Sequence, residues 1–209
     1  MHLADGVLSF PVAATTSIVA AGFVFHSIRG LKEETIPKVS LMTATFFVLS
    51  LISIPVGPSS VHPLLCGLMG IILGRRSALA IFIGLLLQAL LFQHGGLTTL
   101  GANVLMLTIP ALLCSFLYQT LTKGGQARLK VSAALVGGIG VIGAVFLLVA
   151  LLTATSSFYS EGVVSVVRIL LISHIPLLVI ESVLTLFIIG FLARIKPDIV
   201  MAMQKRKGW

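Results

Sequence analysis

Long runs of apolar residues, separated by short polar breaks, make up almost all of this chain. A helix needs about 20 apolar residues to cross the hydrocarbon core of a bilayer. The runs predict seven elements of that kind, over 8–28, 39–56, 61–74, 77–93, 100–121, 131–154 and 164–193. The third is short, confined between Pro63 and the Arg75–Arg76 pair, and reads as a tilted or half-length helix packed inside the bundle. The seventh is long and carries Pro176, so a kink, a tilt or an interfacial start near Val164 is expected. No repeat, low-complexity segment or soluble linker interrupts the pattern. The expected fold is an all-α integral membrane bundle of about seven transmembrane helices, one membrane domain over 1–209, preceded by a tail of residues 1–7.

Composition supports that picture. The 209 residues are 57% hydrophobic and only 10% charged, with mean hydropathy +1.14, whereas a soluble domain carries about 25% charged residues. The net charge of +8 does not point to nucleic acid, because the basic residues stand in short clusters between apolar runs. Arg29, Lys32 and Lys38 follow the first run, Arg75 and Arg76 the third, Lys123, Arg128 and Lys130 the fifth, and Arg194, Lys196, Lys205, Arg206 and Lys207 the seventh. Thirteen of the fourteen lysines and arginines therefore fall on one side, and the positive-inside rule makes that side cytoplasmic. The N-terminus is expected outside and the C-terminus, with its KRKGW ending, inside. Cys66 and Cys114 lie in apolar stretches without CxxC spacing and read as small buried hydrophobes. The opening MHLADGVL has an acid and no basic residue, unlike a signal peptide, so the mature chain is expected to begin at or near Met1.

Histidines supply the candidate chemistry. The topology places His2, His62 and His94 at the outer ends of three different elements, with no lysine or arginine nearby. Singly, each reads as a solvated or hydrogen-bonded loop residue; together they suggest a cation site. A histidine directly after an unblocked Met1 offers one metal three nitrogens: the α-amine, the His2 backbone amide and the imidazole Nδ1. One more nitrogen, such as that of His62, completes a square-planar set, which favours Ni(II) or Cu(II) over tetrahedral zinc. On the chemistry alone, two readings of His2 stand, a chelating terminus or an ordinary tail residue.

The residues also resemble a known family. The start MHLADGVLS is similar to the MHIPDGFLS-type opening of the CbiM/NikM proteins, substrate-binding S-components of energy-coupling-factor (ECF) cobalt and nickel transporters. The stretch from Val61 to Asn103 resembles them too, through Val61-His62, Gly67, Gly70, Gly74-Arg75, the run from Gln88 to Phe92, and HGGLTTLGAN from His94 to Asn103. The likeness covers roughly the first 120 positions; beyond it only hydropathy and span count match. It implies a seven-helix bundle whose N-terminal tail folds back into the outer mouth, where the Met1 amine, the His2 amide and imidazole and the His62 imidazole hold the ion. His94 sits in the family's HGG loop and is given a supporting or tail-positioning role. From the residues themselves, Asp5-Gly6 reads first as a turn, with Asp5 orienting the tail or the His2 ring as a second role, and Asn103 reads equally as a helix-start residue or a hydrogen-bond partner of the tail. Ala4 stands where the family usually has proline, and Met106 where a second asparagine is often seen.

The resemblance further implies that Ni2+ or Co2+ is transported cargo, with no cofactor. It implies partners: a membrane coupling subunit, two cytoplasmic ATPase subunits and a small accessory membrane subunit, in the lipid bilayer of a bacterial or archaeal inner membrane, with no role for nucleic acid. No GxxxxGK[ST] pattern occurs, so ATP hydrolysis falls to those partners and the chain is not expected to be an enzyme. Two rivals stand beside this: a stand-alone secondary transporter or channel, which needs polar groups along a path, and a membrane metalloenzyme, which needs a cluster such as HExxH. Arg168, His174 and Glu181 share the last run; interhelical hydrogen bonding is the preferred reading of these groups over ion handling.

Overall fold

The computed structural model describes residues 2–56, 59–122, 128–155 and 166–204. Pro11 opens α1 (Phe10–Ile28) in the first turn, where a missing N–H costs nothing. There follow α2 (Ile36–Ser50), a short antiparallel pair β1 (Ile54–Val56) and β2 (Ser59–Val61), then α3 (Cys66–Leu73), α4 (Ser77–Phe92) and α5 (Leu100–Leu121). The chain continues through α6 (Leu129–Thr155), α7 (Val166–Ile195) and a short α8 (Pro197–Gln204). Pro176 lies inside α7 and does not end it. The last cluster, Lys205 to Lys207, and Trp209 lie outside the described residues.

The second expected span differs from the structure, whereas the third, expected over 61–74 as a half-length helix inside the bundle, is the shorter, wholly buried α3. Apolar residues continue past Ser50, but Ile52, Ile54 and Val56 alternate with Ser53 and Pro55, a period of two. Pro55 also biases its predecessor to extended backbone. The helix stops, and Ile54 pairs with Val61 and Val56 with Ser59. At about 1.5 Å per residue, the 15 residues of α2 fall short of the roughly 30 Å hydrocarbon core.

Five apolar stretches are long enough to cross a membrane: α1, Cys66–Phe92, α5, α6 and α7. The second of these is not a single straight crossing. His62 precedes α3 and His94 follows α4, yet their ring centroids are 5.8 Å apart, where a straight 27-residue helix would separate its ends by about 40 Å. The two helices are arms of a re-entrant hairpin, turned by a 3₁₀ segment at Gly74, whose φ of +57° suits glycine. All eight residues of α3 are buried, so its irregular ends are surrounded by protein and not lipid.

The hairpin defines two ends of the molecule. At its turn, Arg76 donates to the carbonyls of Ser27, Arg29 and Gly30 at and just past the end of α1, and Arg75 to that of Arg29. Arg29, Arg75 and Arg76 thus gather at one end and the three histidines at the other. Between them, α5 carries the core, with Met106, Leu107 and Tyr118 fully enclosed. Gly70 of α3 packs so tightly on α5 that a Cβ there would overlap the Ala111 carbonyl.

Gly70→Ala is expected to lower stability by about 1–3 kcal/mol through overpacking, read as a lower melting temperature of the purified protein in detergent. Gly22→Ala, at a site with open space around it, is expected to leave that temperature unchanged or higher.

Candidate metal centre

Three elements bring the histidines together: the tail carries His2, the segment from β2 to α3 carries His62, and His94 follows the end of α4. One ligand atom from each lies within 4.8 Å of the others, close to the roughly 4 Å between opposite nitrogens around one ion at 2.0–2.1 Å. The rings of His2 and His62 stack, with centroids 4.6 Å apart and planes 23° from parallel. His94 stands edge-on to both, at 86° to His2 and 79° to His62. Met1 lies outside the described residues.

The protonation state of the rings favours metal binding. His62 Nδ1 lies 3.2 Å from the Pro63 carbonyl oxygen; a carbonyl can only accept, so the proton sits on Nδ1 and the Nε2 lone pair is open. That Nε2, and both ring nitrogens of His2, are buried with no hydrogen-bond partner among the described residues. Burial pushes the His62 imidazole down to about 3. Burial first, and the neighbouring His62 second, lower His2 well below its ordinary value. Desolvation lowers His94 as well, although it is the most exposed of the three. The cluster therefore presents neutral imidazoles at neutral pH, the form that ligates metal.

A ladder of hydrogen bonds fixes the tail. The Leu3 N–H donates to Asn103 Oδ1 at 2.9 Å, and the Leu3 carbonyl accepts from Asn103 Nδ2 at 3.0 Å, from Thr99 Oγ1 at 2.6 Å and from the Gly96 N–H at 3.1 Å. Two residues on, the Asp5 carboxylate accepts from the backbone N–H of Thr98 at 2.8 Å and from its hydroxyl, and these bonds hold Asp5 below its usual value. The glycine pair after His94 makes the docking possible. Gly95 has φ +87° and a Cβ there would approach His2 Cβ to 3.1 Å, while one on Gly96 would overlap Asp5. Asp5 and Asn103 thus clamp the residues on either side of the tail's turn, and Leu3 is buried between them.

Thr98 and Thr99 received no role from sequence reasoning, although both sit in the quoted HGGLTTLGAN run; polar residues repeated beside a glycine pair were the available signal. His94 was assigned a supporting place and stands within the ligand-atom cluster itself. Of the polar residues of α7, His174 bonds through Nδ1 to the Leu170 carbonyl of its own helix at 2.6 Å, and Arg168 is exposed at the helix start. Glu181 instead reaches another element, the chain just after His62.

Comparison with known proteins agrees with this architecture. The chain is 33% identical over 204 residues to a Haemophilus influenzae protein whose descriptive name places it in metal transport, covering 96% of this chain and 97% of that one. It is 31% identical over 217 residues to the cobalt transport protein CbiM of Sorangium cellulosum, covering 98% and 96%. A solved transition metal transporter shares the fold with a TM-score of 0.74 at 17% identity, over 99% of this chain and 100% of that one. Residues 2–199 match the CbiM family, described as the cobalt uptake substrate-specific transmembrane region. With that match spanning the tail, the histidine-bearing ends and the helices alike, the chain belongs to the CbiM family of multi-pass membrane transport proteins.

Proposed function

We propose that the protein captures Ni(II) or Co(II) at the extracytoplasmic face as the substrate-specific subunit of an ATP-driven importer of the ECF type. The observation that carries this reading is the convergence of neutral, unpartnered imidazole nitrogens from His2 and His62 beneath a hydrogen-bonded tail. The Met1 amine, the His2 amide and the two imidazoles give four nitrogens to one dication, a planar set suited to Ni(II) and available to Co(II). His94 borders the ion from the exposed side and steadies the tail. Asp5 and Asn103 keep His2 in register. The histidine end faces outward, because the basic clusters mark the opposite end as cytoplasmic. Energy comes from two cytoplasmic ATPase subunits through a membrane coupling subunit, with a small accessory membrane subunit completing the assembly.

A binding isotherm and visible spectrum with Ni(II) test this directly, and a yellow, diamagnetic complex is expected. His2→Ala and His62→Ala should each lower affinity beyond the roughly 10–100-fold that loss of an outer partner costs. One residue added before Met1 should do the same, and an extended protein that binds Ni(II) as the parent does overturns the chelate.

Asn103→Ala, which releases both the N–H and the carbonyl of Leu3, should weaken binding by about 10–100-fold without changing the final spectrum.

Affinity should rise with pH across the neutral range. Binding expels protons from the amine and the amide, whereas His62, already held down at about 3, has none to give. Isotherms taken at about pH 6, 7 and 8 check the sign, and a flat profile speaks against amine and amide ligation.

A further inference from the structure

Among the described residues, Glu181 is the single acid in the five long apolar stretches. Its side chain is fully buried at mid-helix on α7. Oε1 accepts from two consecutive backbone amides, Leu64 N–H at 2.6 Å and Leu65 N–H at 2.8 Å. Those amides follow His62 by two and three residues, where extended chain turns into α3. Leu65 adopts φ +54° there, a left-handed conformation that a bulky side chain seldom takes and that persists only when its surroundings enforce it.

The surroundings are rigid. A Cβ on Gly137 of α6 would lie 2.7 Å from the Glu181 carbonyl oxygen and 2.9 Å from Thr185 Oγ1, and a Cβ on Gly67 of α3 would lie 2.6 Å from the Gly137 Cα. Helices α3, α6 and α7 therefore meet backbone to backbone around Gly137. The distance from the Glu181 carboxylate to the chain carrying His62 has no slack.

We infer that Glu181 is a positioning residue for the metal centre: by holding the Leu64 and Leu65 amides from α7, it sets where His62 presents its ring nitrogen to His2 and the ion. This rests on the reading of His62 as a metal ligand. It gives the buried acid of α7 a task at the metal centre and ties the segment carrying His62 to α7. One oxygen carries both bonds, since Oε2 has no hydrogen-bond partner among the described residues. A glutamine, which retains one acceptor oxygen, should therefore serve.

The test uses the full chain in detergent, with Ni(II) alone as the probe, and reads three quantities: affinity, the visible spectrum of the complex and the melting temperature of the metal-free protein. Glu181→Gln is expected to keep the parental affinity and spectrum. Glu181→Leu, which removes the acceptor, is expected to lose about 10–100-fold in affinity and to shift the visible band, because one nitrogen of the planar set is displaced. Should the leucine variant fail to fold, Glu181→Asp shortens the reach by one methylene and is expected to move affinity and band in the same direction by less. A leucine or aspartate variant that melts lower but binds with parental affinity and spectrum overturns the inference, leaving Glu181 a packing residue. A glutamine variant as impaired as the leucine variant overturns it too, since charge and not the accepted bonds would then be at work. His62→Ala keeps the two ideas apart: loss of binding there leaves the metal reading standing whatever Glu181 does, and normal binding removes both.

Discussion

A bilayer offers no water to a backbone amide, so every departure from helix at membrane depth must find its partner inside the protein. This chain departs from helix where α4 ends and α5 begins, and where β2 leads into α3. The bonds that satisfy those places also build the histidine cluster. Leu3 in the tail gives its carbonyl to the Gly96 amide and to Thr99, and its N–H to Asn103, while Glu181 takes the amides of Leu64 and Leu65. The interactions that close the helix ends and the interactions that place His2 and His62 are one set.

The consequence is a group of donors held ready and incompletely satisfied. A buried polar atom without a partner costs about 1–3 kcal/mol, and natural proteins keep such atoms few. Among the described residues, both nitrogens of His2 and the Nε2 of His62 stand in that condition side by side. Burial keeps the rings neutral, so they are poor at holding protons and well suited to a dication, whose binding would relieve the strain. Stacking at 4.6 Å keeps the two rings in contact.

Glycine serves the same economy of space at both ends of the cluster. Gly95 and Gly96 admit the tail against the loop after α4, and Gly67 and Gly137 let three helices touch without side chains between them. A Cβ at any of these would push apart elements that carry or flank the histidines, which ties the packing of the bundle to the geometry of the histidine end.

The apolar pattern by itself determined that this chain lives in a membrane, where most of its helices lie, and that its basic residues collect at one end, because hydropathy and length act on each segment independently of its neighbours. The helix over 100–121 is legible to the residue for that reason. The sequence also singled out His2, His62, His94, Asp5 and Asn103 as the residues carrying polar chemistry around the tail. Only the tertiary structure decided that the apolar run before Pro55 breaks into a strand pair, that α3 and α4 fold back on each other, and that Thr98, Thr99 and Glu181 each take a partner in another element. The partners of Thr98, Thr99 and Glu181 lie 90 to 120 positions away, as Leu3 does from Asn103 and Leu64 from Glu181. A local pattern holds no record of such contacts, since the partner's distance in space is set by the packing of every helix between them.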